Sequence, residues 1–303
     1  GYFIGTYAGG NPPTISGLLV IWMMVGFGIV GFIDDFMKVR RQNSLGLSGW
    51  RKIIGQILVV VPFGIVGLSF PNADGQTPAS PFVSLFRDIP VLSFMALGAI
   101  VGWLLYLAWI AFLGVAASNS VNVADGLDGL AAGSGIFVTS ALALISFWQF
   151  KQPCDLDAIS RGLQDACYQT RDPFDLAIIA ASFIGALVGF LWWNAPKARV
   201  FMGDVGSMSI GGVIVALAIL TRTEILLAVI AGVYVIASGS VILQRFYFKL
   251  TRGKRLFLMS PLHHHLEMRG WPEITIVVRM WIIAGLLALT GVGLFYVEWL
   301  VRS

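Results

Sequence analysis

Residues 13–38 read PTISGLLVIWMMVGFGIVGFIDDFMK, and their reading decides the fold. About twenty uncharged residues, the length that crosses a bilayer as an α-helix, stop at two adjacent carboxylates, Asp34 and Asp35. Hydrocarbon solvates neither acid, so either the chain leaves the membrane there or the acids work at its edge. Comparable runs recur along the 303 residues, of which 57% are hydrophobic and only 12% charged. Eight spans are expected, near 13–33, 53–70, 91–117, 129–150, 176–193, 205–220, 225–243 and 276–297. None shows the period-2 alternation of a barrel strand, so the expected fold is all-α, a polytopic helical membrane protein in one domain.

Basic residues set the orientation, because loops rich in Lys and Arg stay on the cytoplasmic side. Segments 34–52, 118–128, 194–204 and 244–275 hold 13 of them against six in the opposite connections and C-terminal tail, which places those four segments inside. A net charge of +4 suits a protein that meets anionic lipid and gives no reason to invoke nucleic acid. Segment 244–275 begins with Arg245, Phe246, Tyr247, Phe248 and Lys249, a mixture suited to a short helix on the membrane surface. Cys154 and Cys167 share one outside loop, where a disulfide and two free thiols are both open readings. The opening GYFIGTYAGG reads as the tail of an earlier apolar segment, so further N-terminal spans are expected upstream.

The four inside segments collect the polar chemistry. All three His and five Asp lie there. Asp34 and Asp35 stand at the C-terminal end of a span, where the helix dipole disfavours acids, so a helix-end marker explains them poorly. In NSVNVADGLDG (119–129), Asn119, Asn122, Asp125 and Asp128 recur every three residues, which lines successive pairs along one side of a helix; the alternative is a polar loop turned by its glycines. In NAPKARVFMGDVGS (194–207), Asp204 precedes an apolar run and reads either as a helix cap or as a carboxylate holding a cation against anionic oxygens.

His263, His264 and His265 are consecutive, a spacing that does not suit zinc, and imidazoles that donate to phosphate oxygens or carry protons fit better. Several Asp oxygens select Mg²⁺ or Mn²⁺ over softer metals, and Mg²⁺ usually arrives with substrate phosphates. With Lys38, Lys52 and Lys197 beside them, these groups imply phosphoryl transfer at the cytoplasmic membrane surface.

The motifs GFIDDFMK (31–38), NSVNVADGLDGLAAG (119–133), NAPKARVFMGDVGSMSIGG (194–212) and SPLHHHLE (260–267), in this order, resemble the polyprenyl-phosphate sugar-1-phosphate transferases. The run of three His followed by Leu and Glu is similar to their muramoyl-pentapeptide branch. The resemblance implies a ten-span fold, a homodimer in the bacterial inner membrane and a cytoplasmic active site. It implies Mg²⁺-dependent transfer of phospho-MurNAc-pentapeptide from UDP-MurNAc-pentapeptide to undecaprenyl phosphate, releasing UMP. It carries over to Asp34 and Asp35 as the catalytic pair, Asp204 as the Mg²⁺ ligand, and His263 and His264 as active-site histidines. It places Asn194 near the metal and diphosphate, and Asn122, Asp125 and Phe201 around the nucleoside, with Phe201 stacked on uracil. Lys38, Lys52, Asn119, Asp128 and His265 complete the expected substrate-binding set. A sister enzyme transferring GlcNAc-1-phosphate is the nearest alternative. A transporter is the distant one, disfavoured because the span centres are nearly free of charge.

Overall fold

The computed structural model describes residues 1–10, 12–42, 46–154, 162 and 165–303. Its helices in chain order are α1 (Tyr2–Ala8), α2 (Ile15–Arg41), α3 (Gly49–Ser69), α4 (Ala99–Ala124), α5 (Leu130–Lys151), α6 (Pro173–Asn194), α7 (Gly203–Leu220), α8 (Leu227–Ile230), α9 (Gly232–Leu250), α10 (Leu262–Met268) and α11 (Glu273–Arg302). A small antiparallel hairpin, β1 (Phe82–Ser84) and β2 (Asp88–Ser93), stands between α3 and α4. Among the described residues, seven helices are long and apolar enough to cross a membrane: α2 to α7 and α11.

Two expected spans are corrected. The run at 91–117 does not start as helix: Asp88–Ser93 pairs as a strand, a short 3₁₀ turn covers Phe94–Leu97, and Gly98 at φ 89° delays α4 to Ala99. A short apolar stretch rich in β-branched residues cannot be told from helix by hydropathy alone. The run at 225–243 is broken into α8 and α9, and α9 continues through Gln244, Arg245 and Lys249 to Leu250. That polar last third leaves α9 outside the seven span-like helices. It also means that residues 245–250 extend α9, where a separate surface helix was expected.

Local signals explain the helix ends. Thr14 begins α2, its Oγ1 accepting from the Gly17 amide at 3.2 Å. Lys38, Arg40 and Arg41 crowd the last turn, where the dipole favours cations. Helix α7 is apolar all round and sits at the centre of the bundle, buried at every position from Ile210 to Leu220. Its neighbours are α2, α4 and α5.

Glycine permits this packing at two places. A Cβ added to Gly31 of α2 would lie 2.2 Å from the Asp204 carbonyl oxygen, and one added to Gly211 of α7 would lie 2.4 Å from the Ser118 Cα of α4. Both obstacles are backbone and cannot swing away. At the opposite end of the bundle from Asp34, Cys154 and Cys167 form a disulfide with Cα atoms 4.9 Å apart, and most of the loop that they close lies outside the described residues.

The Gly31 contact generates a prediction. Gly31→Ala should destabilise the protein by about 1–3 kcal/mol through overpacking, whereas an alanine at Gly189, where an added Cβ meets nothing within 4 Å, should have little effect. Thermal unfolding of both variants in detergent checks it.

Candidate active site

Three carboxylates meet where α7 begins, two of them from α2 nearly two turns before its end at Arg41. One oxygen each from Asp34, Asp35 and Asp204 can be chosen so that all lie within 4.8 Å of one another. Lys38, on the turn after the acid pair, brings its Nζ to 2.7 Å from Asp34 Oδ2, 3.2 Å from Asp35 Oδ1 and 2.9 Å from Asp204 Oδ2. Lys52 from α3 lies 2.9 Å from Asp204 Oδ2 and 3.8 Å from Asp34 Oδ2.

The two acids of the pair have different surroundings. Asp34 is buried, and its Oδ1 accepts from the Leu47 amide at 2.5 Å. Asp35 is partly exposed and caps α7: its Oδ2 accepts from the amides of Asp204 at 2.7 Å and Val205 at 3.3 Å, at the positive end of that helix. Asn122 Nδ2 donates to Asp204 Oδ1 at 2.6 Å and Ser207 Oγ at 2.9 Å, fixing the third acid from the side of α4.

This donor set fits a hard divalent cation. All of the charged ligand atoms are carboxylate oxygens, and the Lys38 ammonium already stands within hydrogen-bond distance of all three, where a cation would be attracted. Asp35 is held at both oxygens, Oδ2 by the amides of α7 and Oδ1 by Lys38.

A cavity of about 370 Å³ opens beside the acids, with Asn122, Asp125, Asp128, Asn194 and Phe201 in its wall. The helical stripe expected from 119 to 128 stops at Ala124, and Asp125 and Asp128 belong to a turn that is tied from outside. Asp128 Oδ2 accepts from the Ala198 amide at 2.9 Å; Asn194 Oδ1 accepts from the Gly129 amide at 3.1 Å, and its Nδ2 donates to the Val200 carbonyl at 2.8 Å. Phe201 is 77% exposed at this wall, an aromatic face open to solvent.

His263 and His264 come to the same turn from α10. A Cβ on Gly126 would lie 2.6 Å from His263 Nε2 and 2.9 Å from His264 Nε2. The His264 ring is held by Glu267, with Nδ1 2.5 Å from Oε2.

Two expected site residues point elsewhere. His265 accepts from the Leu258 amide at 3.1 Å and packs on Phe257, away from the acids. Asn119 donates to Gln56 Oε1 at 3.1 Å and to the Val115 carbonyl at 2.8 Å, joining α3 to α4 below the site. The partners Gln56, Ser207, Glu273 and Trp281 were not anticipated. Only Gln56, a lone amide within the apolar run 53–70, carried a visible signal.

Burial divides the protonation behaviour of the cavity. Asp125 is pushed up to about 7, first by burial and then by repulsion from Asp204, Asp35 and Asp128. His263 is pushed down to about 4, first by burial and then by His264, so it is neutral at pH 7.

The fold and this end of the bundle define a polytopic helical membrane protein with an acidic, oxygen-donor centre. A sequence model of Glycosyl transferase family 4 matches residues 17–222, and the chain belongs to that family. It is 57% identical over its full length to the phospho-N-acetylmuramoyl-pentapeptide-transferase of Clavibacter michiganensis subsp. michiganensis, covering 83% of that protein. It is 51% identical to the protein of that name from Paenarthrobacter aurescens, over 95% of this chain and 78% of the relative. The Beutenbergia cavernae relative of the same name is 48% identical over 99% of this chain and 82% of its own length. Within the family, the chain therefore falls among the phospho-N-acetylmuramoyl-pentapeptide-transferases.

The two shifted groups predict opposite pH dependences. Folded Asp125 keeps its proton up to about 7 against an ordinary value of 3.8, so its contribution to stability falls as pH rises across that window. Folded His263 gives up its proton at about 4 against an ordinary 6.5, so its contribution rises with pH between those values. Across pH 4 to 6.5 the two contributions nearly cancel in the parent, so Asp125→Asn should make the melting temperature rise with pH relative to the parent, and His263→Gln should make it fall. Parallel curves for all three proteins would contradict both assignments.

Proposed function

We propose that this protein transfers phospho-MurNAc-pentapeptide from UDP-MurNAc-pentapeptide to undecaprenyl phosphate, forming lipid I and UMP with Mg²⁺, at the cytoplasmic face of the bacterial inner membrane. The observation that carries the reading is the meeting of Asp34, Asp35 and Asp204, bridged by Lys38, at the edge of the polar cavity. The names of the relatives supply the transferred group, phospho-N-acetylmuramoyl-pentapeptide, and the resemblance of the motifs implies the UDP donor and the undecaprenyl phosphate acceptor. The homodimer belongs to the same proposal and rests on family likeness alone.

Asp204, Asp34 and Asp35 would hold Mg²⁺, which when bound neutralises diphosphate charge. The protein's own side chains do the rest. The acceptor phosphate, whose second pKa is about 6, is mostly dianionic at neutral pH and needs no strong base. Its oxygen attacks the sugar-linked phosphorus in line, a new P–O bond forms to the lipid, and the P–O bond to UMP breaks.

Asp34, buried and held by the Leu47 amide and Lys38, orients or deprotonates the acceptor phosphate. Lys38 and Lys52 balance the phosphate charge in this crowded anionic corner. Phe201 offers its face to the uracil, and Asn122, Asp125, Asp128 and Asn194 line the donor side. A route through a phosphorylated Asp is the competing mechanism, and it predicts a covalent intermediate when donor is supplied without lipid.

The test is UMP release from UDP-MurNAc-pentapeptide by purified protein with undecaprenyl phosphate. Release should require lipid phosphate and Mg²⁺, vanish with chelator, and fall by about two orders of magnitude or more in Asp204→Ala. Release from UDP-GlcNAc in place of the muramoyl donor would move the protein to the sister activity.

A further inference from the structure

We propose that Glu273 and Trp281 of α11 are positioning residues that set the donor side of the site by clamping the 126–129 turn, an assignment that rests on the transferase reading above. Neither residue lies in a recognised motif, and the structure ties both to the backbone that carries Asp125, Gly126 and Asp128. Glu273 Oε1 accepts from the Asp128 amide at 3.1 Å, and Trp281 Nε1 donates to the Gly129 carbonyl at 3.1 Å. Gly129 has φ 78°, so the chain reverses through a left-handed residue, and both ends of that reversal are held by α11.

Apolar packing follows the same division. Leu127 within the turn and Leu130 just after it are buried with Ile276, Val277 and Met280 in a small core separate from the main one. Leu266 and Trp281 pack against it. Leu266 lies on α10, the helix that presents His263 and His264 to Gly126, so one cluster links the turn, the histidine helix and α11. The indole also fills the space over Gly133, where an added Cβ would lie 2.2 Å from Nε1, so it has little room to turn while keeping its bond to Gly129.

The acid cluster is held by other elements. Asp34, Asp35 and Asp204 are tied to Lys38, Lys52, Asn122 and the Leu47 amide, all from α2 to α4 and the segment between α2 and α3. Loosening α11 therefore displaces Asp125 and Asp128 relative to an acid centre that stays in place. Donor binding should suffer and acceptor binding should not.

The experiment uses Trp281→Phe, which keeps an aromatic ring and loses the N–H, together with Glu273→Ala and Glu273→Gln. Steady-state UMP release is measured with UDP-MurNAc-pentapeptide and undecaprenyl phosphate varied separately, and hydrogen exchange is followed in the peptide spanning 126–130. Loss of one such hydrogen bond should raise the KM for the donor about five- to tenfold in Trp281→Phe and Glu273→Ala, with the acceptor KM unchanged and exchange faster. Glu273→Gln keeps an accepting oxygen and should stay within about twofold of the parent.

Unchanged donor KM and exchange, or an equal rise in both KM values, would overturn the proposal. If Trp281→Phe does not purify as folded protein, the Ala and Gln variants of Glu273 decide. If the parent releases no UMP, the transferase reading fails on its own, and the exchange comparison still shows whether α11 clamps the turn.

Discussion

The close approach of α2 to α7 at Gly31 is the constraint on which the site depends. Only a residue without Cβ lets the two backbones meet so near the Asp204 carbonyl, and that contact puts the acid-bearing turn of one helix beside the start of the other. The electrostatics then become workable. The acids were expected at the end of a helix, but α2 runs on to Arg41 and its last turn is basic; Asp34 and Asp35 lie nearly two turns earlier, and Asp35 is aimed at the free amides that begin α7, at the positive end of that helix. Lys38 and Lys52 offset the remaining negative charge. Three carboxylates can thus stand within a few ångströms of one another at the edge of an apolar bundle, held by hydrogen bonds and ammonium groups and poised to receive anionic substrates with a cation.

The donor side is organised on a different principle. Its turn has few apolar atoms of its own, and its order comes from partners distant in sequence: Asn194 and Ala198 beyond α6, and Glu273 and Trp281 on α11. A satellite core of Leu127, Leu130, Ile276, Val277 and Met280, separate from the main core, packs this turn against α11.

The opposite end of the bundle carries its own polar anchorage. Glu224 accepts from Trp109 Nε1 at 2.9 Å and from the Ser84 amide at 3.2 Å, joining the chain after α7 to α4 and the hairpin. Burial, only partly offset by those bonds, pushes it up to about 7. Arg87 donates to the carbonyls of Ala166 and Cys167 and pairs with Glu298 on α11, so the disulfide-bonded segment is fastened to the last helix. These contacts fix the helices at one end while the chemistry is assembled at the other.

The sequence by itself determined the helical membrane class, most span positions, the family and the set of polar residues gathered at one end, because apolar length and clustered charge are local properties that survive without coordinates. It left the break between α8 and α9 and the late start of α4 unread, since hydropathy does not distinguish an apolar strand or a kink from a continuing helix. Only the tertiary structure decided which partners each polar residue meets. It turned Asn119 and His265 away from the acids, gave the adjacent Asp34 and Asp35 different partners, and brought Glu273 and Trp281 to a turn well over a hundred positions earlier. The reason is physical: a side chain's partner is set by which helices pack and at what height, and that depends on close contacts such as Gly31 with Asp204 that no local pattern records.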